Sequence, residues 1–298
     1  MSTPSNAPRA RFWPATEHRP HGLAAGPAAG SVSARRLRLA AASWVGVALV
    51  GQWLFAAYVM LAYGLPALQG QWQHWNKLLP RGIVASDLAG NLVVAVHLLF
   101  TVLIVGCATL QLWPALRRRA PAWHRASGRV YLLAAAVLSL GGLWMVWTRG
   151  SVGDLSQHIA ISLNAVIILA CGAMALRHAI ARRTEVHRRW ALRLFLAVSG
   201  VWLFRITLML WIIVNQGPAG FDPKTFSGPA LTIIAFAVYV VVPLAVLQWL
   251  LHVQQRGTAL AQTLLTVVLA LLSLLTAAAV AATAALMWWP RVSAALTV

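Results

Sequence analysis

The chain has 298 residues, 60% of them hydrophobic and only 10% charged, with a mean hydropathy of +0.74. Soluble domains are about 45–50% apolar and about 25% charged. These values exclude a soluble enzyme, a disordered protein and a fibrous repeat, and leave a polytopic membrane protein. Five acidic residues stand against 24 Lys and Arg, a formal charge of +19. In so apolar a chain that charge reads as orienting loops, and nucleic acid is not an expected partner.

Residues 1–38 are rich in Pro, Ala and Gly and carry Arg9, Arg11 and Arg19 without an apolar core. They read as a disordered basic cytoplasmic tail rather than a secretory signal. Ser33-Ala34-Arg35-Arg36 is faintly like a twin-arginine signal, but the apolar run after it is too long for one. Seven apolar runs then follow, at 39–62, 88–112, 130–147, 155–176, 191–214, 230–251 and 260–289. Each is about long enough to cross a bilayer, and none shows the alternation of a barrel strand. The expected fold class is all-α, with about seven transmembrane helices, a four-helix histidine-bearing core in spans two to five, and the lipid bilayer as partner. Cys107 and Cys171 lie inside these runs and read as small buried hydrophobes.

Basic residues set the orientation. Eighteen fall on one side if the N-terminus is cytoplasmic, including Arg117–Arg119 and Arg188–Arg189. Lys77, Arg81, Arg149, Lys224 and Arg291 fall on the other. That bias predicts a multi-pass protein of the inner (cytoplasmic) membrane with its N-terminus inside and its C-terminus external.

Spans two and three repeat the pattern of spans four and five. His97, Arg117 and His124-Arg125 in the first unit match His158, Arg177 and His187-Arg188 in the second. His97 precedes Arg117 by 20 positions and His158 precedes Arg177 by 19. At 1.5 Å per residue the two upper histidines are expected at similar depth, about 30 Å from their arginines. His124 and His187 fall at the inner end. Pro121 suits the first turn of the third helix and Thr184 the N-cap of the fifth.

Several stretches also carry a family likeness: His97-Leu98, Leu116-Arg117, His124-Arg125-Ala126-Ser127-Gly128-Arg129-Val130-Tyr131, and His187-Arg188-Arg189-Trp190-Ala191-Leu192-Arg193 followed by Arg205. In these the chain resembles a bacterial integral-membrane family known as domain of unknown function 2306, over about His97 to Met209. The resemblance implies a multi-span inner-membrane protein and no particular activity. More loosely, one histidine in each of four consecutive helical units is similar to the dihaem transmembrane cytochromes b, in which alternate helices pair to hold two haems. Here His124 and His187 fall at the membrane edge rather than within the spans.

Two neutral imidazoles on separate helices can take both axial positions of a haem iron. His97 and His158 are therefore the candidate iron ligands of a haem b, and His124 with His187 the candidates for a second haem. The alternative is four histidines that serve packing and helix starts, in a scaffold, carrier or lipid-interacting protein. Arg205 lies within the fifth span, where an arginine costs at least about 2.5–3.5 kcal/mol near the bilayer centre. It needs an anion, such as a haem propionate, a lipid or Asp154, or else it snorkels to the interface. Asn164 and Gln111 read as interhelical hydrogen-bond partners. A haem protein of this kind would pass electrons between a quinol or another redox partner and an acceptor. Whether the chain is an enzyme stays open.

Overall fold

The computed structural model describes residues 32–79, 81–150 and 153–296. Among these, every long element is a helix, and the nearest thing to a strand is one bridge between Asp222 and Ser227. Six helices are long and apolar enough to cross a membrane. They are α1 Val32–Leu68, α2 Leu88–Leu112, α4 Pro121–Gly150, α5 Leu155–Ile180, α8 Pro229–Arg256 and α9 Ala259–Leu296. The short α3, Pro114–Arg119, lies between α2 and α4. A further span is a broken pair, α6 Thr184–Val198 and α7 Gly200–Val214, bent by 47°. The protein is thus an all-α polytopic membrane protein with six to seven spans. Leu92, Leu99, Leu133, Leu140, Leu271 and Leu274 are exposed on the bundle's surface, where lipid tails take the place of water.

Helix ends differ from the apolar runs because a helix can outlast its hydrophobic stretch. α1 begins at Val32, inside the stretch read as a tail, because Leu37 is buried in a small core with Val253, Leu265 and Leu269. Ser33 Oγ also donates to Gln262 Oε1 at 2.7 Å. The rest of that stretch, 1–31, lies outside the described residues. α4 starts at Pro121, nine residues before the apolar run at 130, with proline in its first turn. Thr184 is the first helical residue of α6 rather than its cap; the N-cap position falls to Arg183, whose side chain makes no capping bond.

α2 packs on α4, α4 on α5 and α5 on α6, while α1 and α9 form a long seam on the other side and α7 closes against α9. Two local features shape the interior. The break between α6 and α7 falls at Ser199-Gly200, where Ser199 Oγ donates back to Phe195 O at 2.7 Å. Such back-bonding and a Gly/Ser pair both bend helices. At the far end of α4, Met145–Gly150 form a π-helical turn. The extra residue per turn redirects side chains, a device frequent at functional sites.

Candidate functional site

Between α1, α2, α4, α5, α6 and α7 lies a cavity of about 430 Å³. That is within the usual range of small-molecule sites, about 300–1,000 Å³. Its walls are mostly apolar and include Phe55, Ile104, Ile168 and Phe195. The bend at Ser199 wraps α6 and α7 around it, so that Ser199, Trp202 and Arg205 all face it. The π turn of α4 brings Met145, Val146 and Arg149 to it.

Buried polar atoms normally find partners. Around this cavity many do not. Among the described residues, His97 Nδ1, Tyr131 Oη, Ser139 Oγ, Asn164 Oδ1, Trp202 Nε1 and the Nε and Nη1 of Arg149 are buried without a hydrogen bond, and all six residues line the cavity. Each unmade bond of a buried group costs about 1–3 kcal/mol. Other unpartnered atoms lie elsewhere, at Gln71, His74, His124, His158, His178 and Trp288, but the six residues around the cavity share one apolar space that a ligand or water can enter.

His97 sits nine residues into α2, its ring against Gly142, where a Cβ would stand 3.8 Å from the His97 Cε1. Thr101 Oγ1 donates to the His97 carbonyl at 2.8 Å. Arg205 donates from Nη1 to Val201 O at 3.1 Å, and its guanidinium lies 5.3 Å from the centre of the Phe55 ring. The only ion pairs among the described residues are Arg149 with Asp87 and Arg188 with Glu185. Arg205 therefore lines the same cavity as His97 without a carboxylate partner. Asp154, one of the anions considered for it, instead caps α5 and bonds Ser156.

His158 does not line the cavity. Its ring packs edge-on against Trp147 at 6.0 Å, and its Nε2 is buried without a partner. His97 meets α4 at Gly142 and His158 meets it at Trp147, five residues farther along. The spacings to Arg117 and Arg177 are not equal measures of depth, because α2 ends at Leu112 and Arg117 lies on the separate α3, whereas Arg177 lies within the unbroken α5.

His124 and His187 are both at the arginine-rich end and outside the cavity lining. His124 Nδ1 is buried without a partner. His187 Nδ1 meets the Ala175 carbonyl at 2.8 Å, tying α6 to α5. Gln111 joins helices as expected, donating to His124 O and Ser127 Oγ. Asn164, which lines the cavity, packs its amide group against Gly200 of α7, and its Oδ1 has no hydrogen-bond partner.

Ser139 and Trp202 carry no signal in the sequence apart from ordinary apolar spans, and Tyr131 stands out only as the end of the His124–Tyr131 stretch that carries the family likeness. Sequence reasoning counted Arg149 as a loop charge, although Arg149 is 7% exposed.

Among the described residues no three His, Cys, Asp or Glu side chains come together as a metal site. A haem asks for less, since the porphyrin supplies four nitrogens and the protein one or two. The imidazole of His97, the unpaired Arg205 and the apolar walls fit such a group, while His158 stands outside the cavity.

No curated protein and no solved structure matches the chain, so the likeness to dihaem cytochromes b rests on the histidine pattern alone. Residues 94–242 match the family described as "Predicted membrane protein (DUF2306)", a segment that runs from α2 into α8 and carries His97, Asn164 and Arg205. The chain belongs to this family of membrane proteins.

Proposed function

We propose that this protein binds a b-type haem inside its bundle and takes part in transmembrane electron transfer. The observation that carries the reading is the cluster of unpartnered polar atoms around one apolar cavity, with His97 and Arg205 in its lining. Haem, when bound, supplies one-electron chemistry. His97 would hold the iron through its imidazole. Arg205 offers a bidentate fork to a propionate and sets a positive charge nearby, which favours the reduced iron. The apolar walls keep water from the centre. His158, outside the cavity against Trp147, is the weaker candidate to hold the iron. His124 and His187, among arginines suited to propionates, are the candidates for a second haem.

The positive-inside rule orients the chain in the inner membrane with the N-terminus cytoplasmic and the C-terminus external. The Arg81 end of the cavity then faces outward, toward a quinol or a soluble redox partner. Reporter fusions near Arg118 and Arg182 should read as cytoplasmic, and fusions near Lys77 and Lys224 as external. A cytoplasmic C-terminus would reverse this orientation.

The test is the visible spectrum of the purified protein, oxidised and then reduced with dithionite. The expected result is a reduced b-type band that is lost in His97→Ala. A colourless protein from haem-replete cells would overturn the reading. The unpaired Arg205 favours one second reading, a non-enzymatic carrier of an amphipathic acid whose carboxylate meets Arg205 and whose chain fills the cavity. A colourless protein that copurifies with such an acid would select it.

A further inference from the structure

The cavity has a mouth with its own charge. Arg81 is exposed, and Arg149, 7% exposed, lies behind it; both line the cavity's end. Arg81 donates from Nη1 to the carbonyl of Arg149, so the two side chains occupy one corner. One carboxylate is near, Asp87, at 3.7 Å from Arg149 Nε. Arg149 Nη2 is satisfied by Asn91 Oδ1 at 2.8 Å and Gly82 O at 3.2 Å. Its Nη1 is buried without an acceptor. Two guanidiniums against one carboxylate leave the mouth positive, with Arg205 adding a third positive charge deeper in the same cavity.

The rim that carries Arg81 is built rather than loose. Asn76 holds Ile83 by bonds to its N–H and its carbonyl, at 2.6 and 3.1 Å. Asn91 holds Val84 in the same two-way manner, at 2.9 and 2.8 Å. Gly82 passes so close to Trp75 and Asn76 that a Cβ would lie 2.7 Å from both. Asp87 caps α2 through Gly90 N at 2.8 Å and is thereby fixed beside Arg149. A connecting segment pinned at this many points holds its arginine in place, and an arginine fork matches carboxylate and phosphate geometry.

We propose that Arg81 and Arg149 form an oxyanion site at the mouth of the cavity, distinct from Arg205, that takes the carboxylate or phosphate of a molecule arriving from the aqueous side or of a lipid headgroup. The site goes beyond the haem reading and does not require it. Arg149 Nη1 supplies the buried donor and Arg81 the rim charge that draws the anion in.

The experiment is a thermal-melt titration of the purified full chain in phosphatidylcholine nanodiscs with inorganic phosphate, against sodium chloride at matched ionic strength. Phosphate should raise the melting temperature beyond chloride and saturate. Arg81→Gln should weaken the apparent affinity roughly tenfold, the scale of one charge-assisted hydrogen bond. Arg149→Gln should abolish the effect. Because that variant leaves Asp87 unpaired and can fail to fold, Arg149→Lys is the companion, expected to fold and to retain a weakened response. Repeating the titration in phosphatidylglycerol discs separates the sources: a lost response assigns the site to a lipid headgroup, and a retained one to a soluble anion. A shift equal to that of chloride, or one unchanged in Arg81→Gln and Arg149→Lys, would overturn the site. A colourless protein that still responds to phosphate would defeat the haem reading and leave this site standing.

Discussion

The seam between α1 and α9 and the cavity beside it are built from the same apolar helices yet treat polar groups in opposite ways. Along the seam they find one another: Ser33 donates to Gln262 and Trp44 Nε1 to Thr276 Oγ1, with Trp288 Nε1 the exception. Gln52, at the border, still reaches Ser199 Oγ at 2.9 Å. Packing there is tight enough that a Cβ on Gly51 would stand 2.5 Å from Trp202 and 2.7 Å from Val280. A few ångströms away, His97, Tyr131, Ser139, Asn164 and Arg149 have donors or acceptors to spare. Unmade bonds also occur elsewhere, at Gln71, His74, His124, His158 and His178, so the contrast is between the seam and the cavity and not between the cavity and the whole bundle. A region that completes its own bonds is structural, and one that leaves them open is prepared for something else.

Substitutions at the cavity should have the largest effect, and on its contents. His97→Ala should remove the haem. Arg205→Leu should remove it or lower its potential, because a propionate left without a partner is a buried unpaired charge. Arg205→Lys should rescue only in part, since an ammonium lacks the fork. Haem content per chain and the midpoint potential measure this. An Arg205→Leu protein with unchanged content and a higher melting temperature would show that Arg205 holds nothing.

At the seam the expected effect is on stability. Gly51→Val should overpack against Trp202 and Val280 and cost about 1–3 kcal/mol or more, read as a lower melting temperature. Unchanged stability would mean that α1 and α9 shift apart easily.

Paired smaller changes sharpen the contrast. Gln262→Ala removes the partner of Ser33 and should cost about 1 kcal/mol. Ser139→Ala and Tyr131→Phe remove atoms that have no partner, and in ligand-free protein should be neutral or stabilising. Equal losses at both places would erase the distinction between the two regions.

The smallest effect concerns pH. The Ser156 hydroxyl, with the backbone N–H groups of Gln157, Gly228 and Ser156, holds the Asp154 carboxyl below its usual range. A depressed folded pKa adds stability above the unfolded value, near 3.9, and loses it as pH falls through the folded value. Wild type should therefore lose stability below about pH 4, and Asp154→Asn should flatten that part of the melting profile. An unchanged profile would remove Asp154 from the cap.

The sequence made the spans legible, because a run such as 88–112 is apolar from end to end and coincides with α2. It also singled out His97 and Arg205, since a histidine and an arginine stand out against leucine. It did not reveal the cavity. Tyr131, Ser139 and Trp202 look like span residues until helix rotation turns them to one centre. Arg149 looked like a loop charge because the π turn that carries it inward leaves no mark in the pattern. Residue counting from Arg117 does not give a depth for His97, because it assumes an unbroken helix and α2 ends before Arg117.

The most direct test of the central claim is native mass spectrometry of the purified protein released from nanodiscs, wild type beside His97→Ala. The account predicts a chain carrying a haem-mass adduct that His97→Ala loses, while the fold and melting behaviour of the variant persist. A wild-type chain free of any bound small molecule would contradict it, because the open bonds around the cavity would then have nothing to meet.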